Sequence, residues 1–136
     1  MTTIKDTNLI EIPKVHDERG SLAVIEKAVI PFAIKRVYYL YDVPSDSYRG
    51  GHAHKEQESV IIALSGSFEV IIDNGESRKR ITLNKPTQGL YLPTYIWREI
   101  DNFSSGAVCL VLASTNYNES EYVRDYDDFC HLKGEM

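Results

Sequence analysis

The sequence predicts an all-β single domain, residues 1–136, built as a sandwich or barrel of seven or eight short strands and closed by one C-terminal helix. Three observations predict it. Short apolar runs rich in β-branched and aromatic residues recur at close spacing, with turn signals between them. Asp73-Asn74-Gly75 stands between two such runs, and Asn-Gly is the strongest short hairpin signal because both residues tolerate positive φ. The clearest helical spacing lies near the end of the chain, where Tyr122, Tyr126 and Phe129 follow at i, i+4 and i+7.

The elements can be justified in order. Ser21–Glu26 follows an Asp17-Glu18-Arg19-Gly20 turn, and Ile34–Tyr41 alternates and is rich in β-branched and aromatic residues. Ser59–Leu64 and Phe68–Ile72 flank the link Ser65-Gly66-Ser67, and Arg78–Leu83 completes the Asn-Gly hairpin. Gly89–Leu92 and Ala107–Ala113 finish the set. The helix is expected over Glu119–Leu132, with Asn118 and Glu121 at capping-box spacing and the aromatic stripe packed on the barrel.

Composition removes several function classes. The formal charge of −5 argues against a non-specific nucleic-acid binder, which needs a basic surface, but leaves room for a small anionic ligand in a locally basic pocket. The longest clean apolar run, Ala107–Ala113, has seven residues, against about 20 for a membrane span. The first residues carry no apolar signal region, and two cysteines, Cys109 and Cys130, suggest no disulfide framework. The expectation is a cytoplasmic protein with no membrane and no nucleic-acid partner.

The chemistry concentrates in Arg49-Gly50-Gly51-His52-Ala53-His54. Residues i and i+2 of a strand share a face, so His52 and His54 project together. Two inward imidazoles can serve as metal ligands, as acid–base groups, or as both. The spacing His52-x-His54-x3-Glu58 resembles the first motif of the cupin superfamily, jelly-roll barrels. The fourth ligand position, five residues after Pro93, is Arg98 here. A guanidinium has no lone pair to give a metal, which weakens the metal reading and favours proton transfer. A carbon acid next to a carbonyl suits a histidine base, with Arg98 and the Tyr38 phenol as donors to an enediolate oxygen. Ile34, Arg36, Tyr38 and Leu40 share one strand face, and Lys35, Val37, Tyr39 and Tyr41 the other. Arg19, taken alone, reads as a surface turn residue.

The whole pattern resembles a known family. Arg19-Gly20-Ser21-Leu22, Pro31 through Tyr39, Arg49 through Lys55, Gly89 through Pro93, Trp97-Arg98-Glu99, Val111 through Ser114 and Tyr117 through Tyr126 look like the dTDP-4-oxo-6-deoxyglucose 3,4-ketoisomerases, cupins of the WxcM-like group. The resemblance implies a cupin jelly-roll barrel and a dTDP-hexose substrate whose carbonyl moves from C4 to C3 through an enediol. It implies no cofactor and no metal, and a homodimer with exchanged N-terminal strands. It implies His52, His54 and Tyr38 as catalytic residues. With the residues read above, Arg19, Lys35, Arg36, Arg49 and Arg98 become the expected substrate contacts. The product would feed 3-amino-3,6-dideoxyhexose synthesis for a surface glycan. Family members often carry Trp-His-Glu where this chain has Trp97-Arg98-Glu99, and they differ at position 19. Both positions bear on a gluco or galacto product, and Arg98 leans towards gluco.

Three other readings compete. A dTDP-4-keto-6-deoxyhexose 3,5-epimerase shares the α-proton chemistry but pairs its histidine with an aspartate, and no aspartate closely follows His52 or His54. A non-catalytic sugar-nucleotide-binding cupin would use the two histidines only to hold ligand. A metal-dependent cupin oxygenase needs the ligand that Arg98 replaces.

Overall fold

The structure, a computed structural model, describes residues 3–136. Twelve strands are found among them: β1 (Asn8–Glu11), β2 (Lys14–Asp17), β3 (Gly20–Ala23), β4 (Arg36–Leu40), β5 (Arg49–His54), β6 (Ser59–Ser65), β7 (Phe68–Asp73), β8 (Arg78–Leu83), β9 (Gln88–Leu92), β10 (Trp97–Asp101), β11 (Val108–Ala113) and β12 (Tyr122–Val123). One helix, α1 (Tyr126–Gly134), ends the chain. A five-stranded sheet in the order β1-β9-β6-β11-β4 packs on a second in the order β12-β5-β10-β7-β8, and β2 and β3 form a separate two-stranded hairpin. This is the two-sheet barrel with a single C-terminal helix that the sequence predicts.

Period-2 alternation builds the core. Ile61, Leu90, Leu92 and Val111 from the first sheet meet Phe68, Val70, Ile72, Leu83 and Ile100 from the second. The outer face of the first sheet is covered as well, because Val60, Ile62 and Leu112 pack against Ile12 and Ile30. That double burial is why Ser59–Leu64 reads as a continuous apolar run rather than an alternating one. The outer face of the second sheet is closed by α1, with Phe129 against Trp97, Ala53 and Val123.

The predicted helix over Glu119–Leu132 is corrected. Asn118 caps only a 3-10 turn, Glu119–Glu121, by accepting from the Ser120 amide. The chain then pairs with β5, Tyr122 opposite His54 and Val123 opposite Ala53. The helix starts at Tyr126, where Asp125 accepts from the Asp128 amide. Of the aromatic stripe, Tyr126 and Phe129 pack as expected, but Tyr122 leaves it. A strand hydrogen-bonded to an open sheet edge outcompetes a marginal helical start. The strands β1, β2 and β10 lie outside the sequence expectation, and β3 is confined to Gly20–Ala23.

One irregularity shapes the site. Arg98 pairs with His52 and Ile100 with Arg49, so β5 carries one residue more than β10 between these pairs. This is a β-bulge, and Gly51 within it has φ +39°.

Candidate active site

The barrel holds a cavity of about 230 Å³ whose polar lining comes from Tyr38, Arg49, His52, Arg98, Tyr122 and Arg124. Strand parity accounts for most of it. Tyr38 and Leu40 face inward on β4, and Val37 and Tyr39 face outward. Arg49 and His52 are three apart, and a regular strand would send them to opposite faces. The bulge at Gly51 restores them to one side.

His52 and His54 do meet. Their Nε2 atoms lie 3.1 Å apart, but only His52 lines the cavity, and His54 is fully buried behind it. His54 Nδ1 faces Glu121 Oε1 at hydrogen-bond distance. A carboxylate only accepts, so His54 carries its proton on Nδ1 and offers a lone pair at Nε2. The second Glu121 oxygen accepts the backbone amides of Glu56 at 3.0 Å and Gln57 at 3.3 Å. Burial, reinforced by the positive charges of Arg98, Arg36 and Arg124, pushes the His54 pKa far down, so the ring is neutral at physiological pH.

Arg98 is buried and donates to Ser59 Oγ at 3.3 Å and to the Ile96 carbonyl at 3.1 Å. Its Nε is buried without a partner among the described residues. Burial pushes its pKa down to about 10, which still leaves it protonated near neutrality. Burial raises the Tyr38 pKa, so its phenol keeps its proton. Arg36 stacks over the Tyr38 ring at 4.4 Å and donates to the Tyr122 hydroxyl at 3.1 Å.

Of the expected substrate contacts Arg49 and Arg98 line this cavity, Arg36 stands just behind its lining against Tyr38 and Tyr122, and two are not brought to it within the chain. Lys35 lies on the outward face of its segment, exposed, as strand parity requires. Arg19 sits at the tip of the β2–β3 hairpin, 87% exposed and paired with Asp17 at 2.8 Å. Glu58, the potential third metal ligand, instead accepts the Tyr91 hydroxyl at 2.6 Å. Among the described residues, no three His, Cys, Asp or Glu side chains gather to hold a metal. The donor set does not fit a divalent ion, since a buried guanidinium stands beside the imidazoles.

The WxcM-like, C-terminal (FdtA) description matches residues 5–134. The chain belongs to the WxcM-like, C-terminal family. A TDP-4-oxo-6-deoxy-alpha-D-glucose-3,4-oxoisomerase from Aneurinibacillus thermoaerophilus is 46% identical over 91% of this chain and 90% of its own. Among solved structures, a 3,4-ketoisomerase from Helicobacter canadensis superposes with a TM-score of 0.92 at 48% identity, covering 95% of this chain and 98% of that one. The sugar 3,4-ketoisomerase QdtA from Thermoanaerobacterium thermosaccharolyticum, solved with TDP, gives a TM-score of 0.95 at 40% identity over 98% of each chain. A histidine-to-asparagine mutant of QdtA has been solved with TDP-4-keto-6-deoxyglucose.

Within this WxcM-like site, sequence reasoning missed Glu121, Tyr122 and Arg124, which it placed on a helix. The Tyr122 ring packs against both imidazoles, at 5.1 Å from His52 and 4.4 Å from His54, and Arg124 stacks over it at 4.4 Å. No local motif marks them, because their role follows from the β12–β5 pairing. The carboxylate that meets His54 is a glutamate, Glu121, from far along the chain, and not the aspartate of the epimerase pairing. Family membership separates the readings further.

Proposed function

We propose that the protein is a dTDP-4-keto-6-deoxy-D-glucose 3,4-ketoisomerase, an isomerase working by histidine acid–base chemistry. The observation that carries this reading is the convergence of His52, Tyr38 and Arg98 on one cavity in a chain of the WxcM-like family. C3 of the substrate is α to the C4 ketone, so its proton is acidic. His52 takes that proton, and the C–H electron pair moves into a C3=C4 enediolate with charge on the C4 oxygen. Arg98 and the protonated Tyr38 phenol donate to that oxygen, each strengthened by the low dielectric of the cavity. The C4 oxyanion takes up a proton, the C3 hydroxyl gives one up and C4 receives one in place of the proton taken from C3, leaving the carbonyl at C3 and a hydroxyl at C4. The product is an isomer of the substrate, so no oxidant or reductant is consumed. His54 acts through His52, relaying protons. The expected configuration at C4 is gluco, from Arg98.

Arg49, Arg124 and nearby Arg36 give the cavity a cationic rim suited to the diphosphate. The protein works as a homodimer. Support comes from the β2–β3 hairpin, which among the described residues pairs with no other strand and leaves Val15 63% and Leu22 58% exposed. In a strand-exchanged dimer, Arg19 would reach the partner's cavity rather than its own. The two cysteines are free thiols, in keeping with a cytoplasmic place, and among the described residues no helix is long and apolar enough to cross a membrane. The 3-keto product suits an aminotransferase that makes a 3-amino-3,6-dideoxyhexose for a surface glycan.

The test incubates EDTA-treated protein with dTDP-4-keto-6-deoxyglucose in D2O and follows it by proton NMR. A 3-keto product with deuterium at C4 is expected, and its C4 coupling reports the configuration. Deuterium at C3 and C5 with inverted configuration would move the assignment to the epimerases. Binding without exchange would reduce the protein to a sugar-nucleotide-binding cupin.

A further inference from the structure

Glu121 is a buried carboxylate that neither touches the cavity nor belongs to the expected site, and its side chain is only 4% exposed. A buried charge is retained only where it is paired and hydrogen-bonded. Three donors meet it. The Glu56 and Gln57 amides hold Oε2, and the His54 ring holds Oε1. The backbone clamp is itself fixed, since the Lys55 amide donates to the Glu121 carbonyl at 2.9 Å.

The far side of His54 is equally determined. Thr115 Oγ1 donates to Gln57 Oε1 at 3.2 Å, which orients the Gln57 amide with its nitrogen inward. That nitrogen donates to Ser59 Oγ at 2.9 Å and lies 3.4 Å from His54 Nε2. His54 Nε2 is therefore approached by two nitrogens, Gln57 Nε2 and His52 Nε2, and opposed across the ring by an acceptor only. Both sides demand the same tautomer, with the proton on His54 Nδ1. The proton shared between the two Nε2 atoms then belongs to His52 at rest.

We propose that Glu121 is the positioning residue of the reaction: through His54 it fixes the tautomer of His52 and supplies the countercharge for the imidazolium formed when His52 takes the substrate proton. When that proton arrives at His52, the Nε2–H of His52 can pass to His54 Nε2. The positive charge then moves onto the ring that already bonds the carboxylate. The C3–H bond has broken, one N–H has formed on His52, and the positive charge is shared along His52, His54 and Glu121. Neutralisation matters here because the surrounding charges are mainly positive. Arg36 from β4, Arg98 from β10 and Arg124 after β12 all bear on His54. The neutral phenol of Tyr38 and the ring of Tyr122 complete the surroundings, and Glu119 is taken up by Arg124 at 2.7 Å.

The inference rests on the proposed ketoisomerase reading, and its first test does not use turnover. Long-range 15N–1H NMR of the wild-type protein reads which ring nitrogen of each histidine carries hydrogen. His54 protonated at Nδ1 and His52 at Nε2 is the expected result. His54 protonated at Nε2 would overturn the proposal. The second test is Glu121→Gln, whose amide can donate to His54 Nδ1 and reverse the tautomer. Its kcat is expected to fall on the order of 10²–10⁴-fold, the range of a positioned acid–base group, while KM changes little. The acidic limb of kcat/KM should move to lower pH, because losing the countercharge makes His52 harder to protonate. Glu121→Asp should restore part of kcat and return the limb. An unchanged kcat and pH profile in folded Glu121→Gln would sink the idea. If Glu121→Gln does not fold, the wild-type tautomer decides alone. Failure of the wild-type protein to turn over substrate, with the tautomer pattern intact, would count against the ketoisomerase reading and leave the geometric part standing.

Discussion

His52 and Arg98 are register partners across the β5–β10 pair, so the base and a buried cation stand side by side on one face of the sheet. Such partners have Cβ atoms about 5 Å apart, close enough to flank a single substrate carbon. The arrangement carries a stability cost, since Arg98 is buried with its Nε unpartnered. Arg98→Met keeps the volume and removes the charge and the donors. Its thermal midpoint is expected to stay level or rise, because replacing a buried charge by an apolar side chain is often neutral or stabilising. Its kcat should fall about 10²–10³-fold, as when one donor to a developing oxyanion is lost. A melting curve and an NMR assay on the same sample check both. Full activity in Arg98→Met would remove the guanidinium from the mechanism.

Gly51 is the residue that lets Arg49 and His52 share a cavity. Its φ of +39° suits glycine, and a Cβ built there would meet the Tyr48 ring alone, Oη at 3.4 Å and Cε1 at 3.9 Å. There is room for a methyl group, so the cost of Gly51→Ala is conformational, about 1–2 kcal/mol. The melting temperature should drop on the order of 5 °C. If the bulge relaxes, Arg49 is withdrawn first, so KM for the nucleotide sugar should rise more than kcat falls. Steady-state kinetics separates the two, and equal effects on both would place the damage at His52 instead.

Much of this was legible in the chain, for local reasons. Alternation marks β4, continuous apolar runs mark β6 and β7, and turn residues bound them and β8, β9 and β11. Strand parity brought out His52 and Tyr38 as candidates and the spacing after Pro93 brought out Arg98, and the cavity gathers all three. Glu121 and Tyr122 could not. Their sequence spacing fits a capped amphipathic helix, and only a long-range pairing with β5 turns them inward. Lys35 was separable in principle, since parity alone places it opposite Arg36. Arg19 was not, because among the described residues no further strand pairs with its hairpin to fix what it meets.

Phe129 anchors α1 to the back of the site strands. It is fully buried, with its ring 5.7 Å from Trp97 and 6.0 Å from Tyr126. Phe129→Ala should cost about 3–5 kcal/mol, the range for a buried phenylalanine emptied to a cavity. Ala53, between His52 and His54, belongs to the same cluster, so the helix supports the strand that carries both imidazoles. Urea unfolding measures the loss. A cost below about 1 kcal/mol would mean that the helix packs too loosely to serve as a support.

The neutral state of His54 has a consequence for stability. The ordinary value for its ring is 6.5, and in the native protein burial drives it far lower. Below pH 6.5 the unfolded chain takes up a proton at this residue that the native protein refuses, so acid favours unfolding. The contribution is intact above pH 6.5 and is lost as pH falls, at no more than about 1.4 kcal/mol per pH unit. Between pH 6.5 and 5, unfolding free energy should fall by about 2 kcal/mol. Urea titrations at the two pH values measure it, and His54→Gln should flatten the dependence. A wild-type protein equally stable at both would mean that His54 is protonated in the native state as an ion pair with Glu121, and that the relay begins from a charged ring.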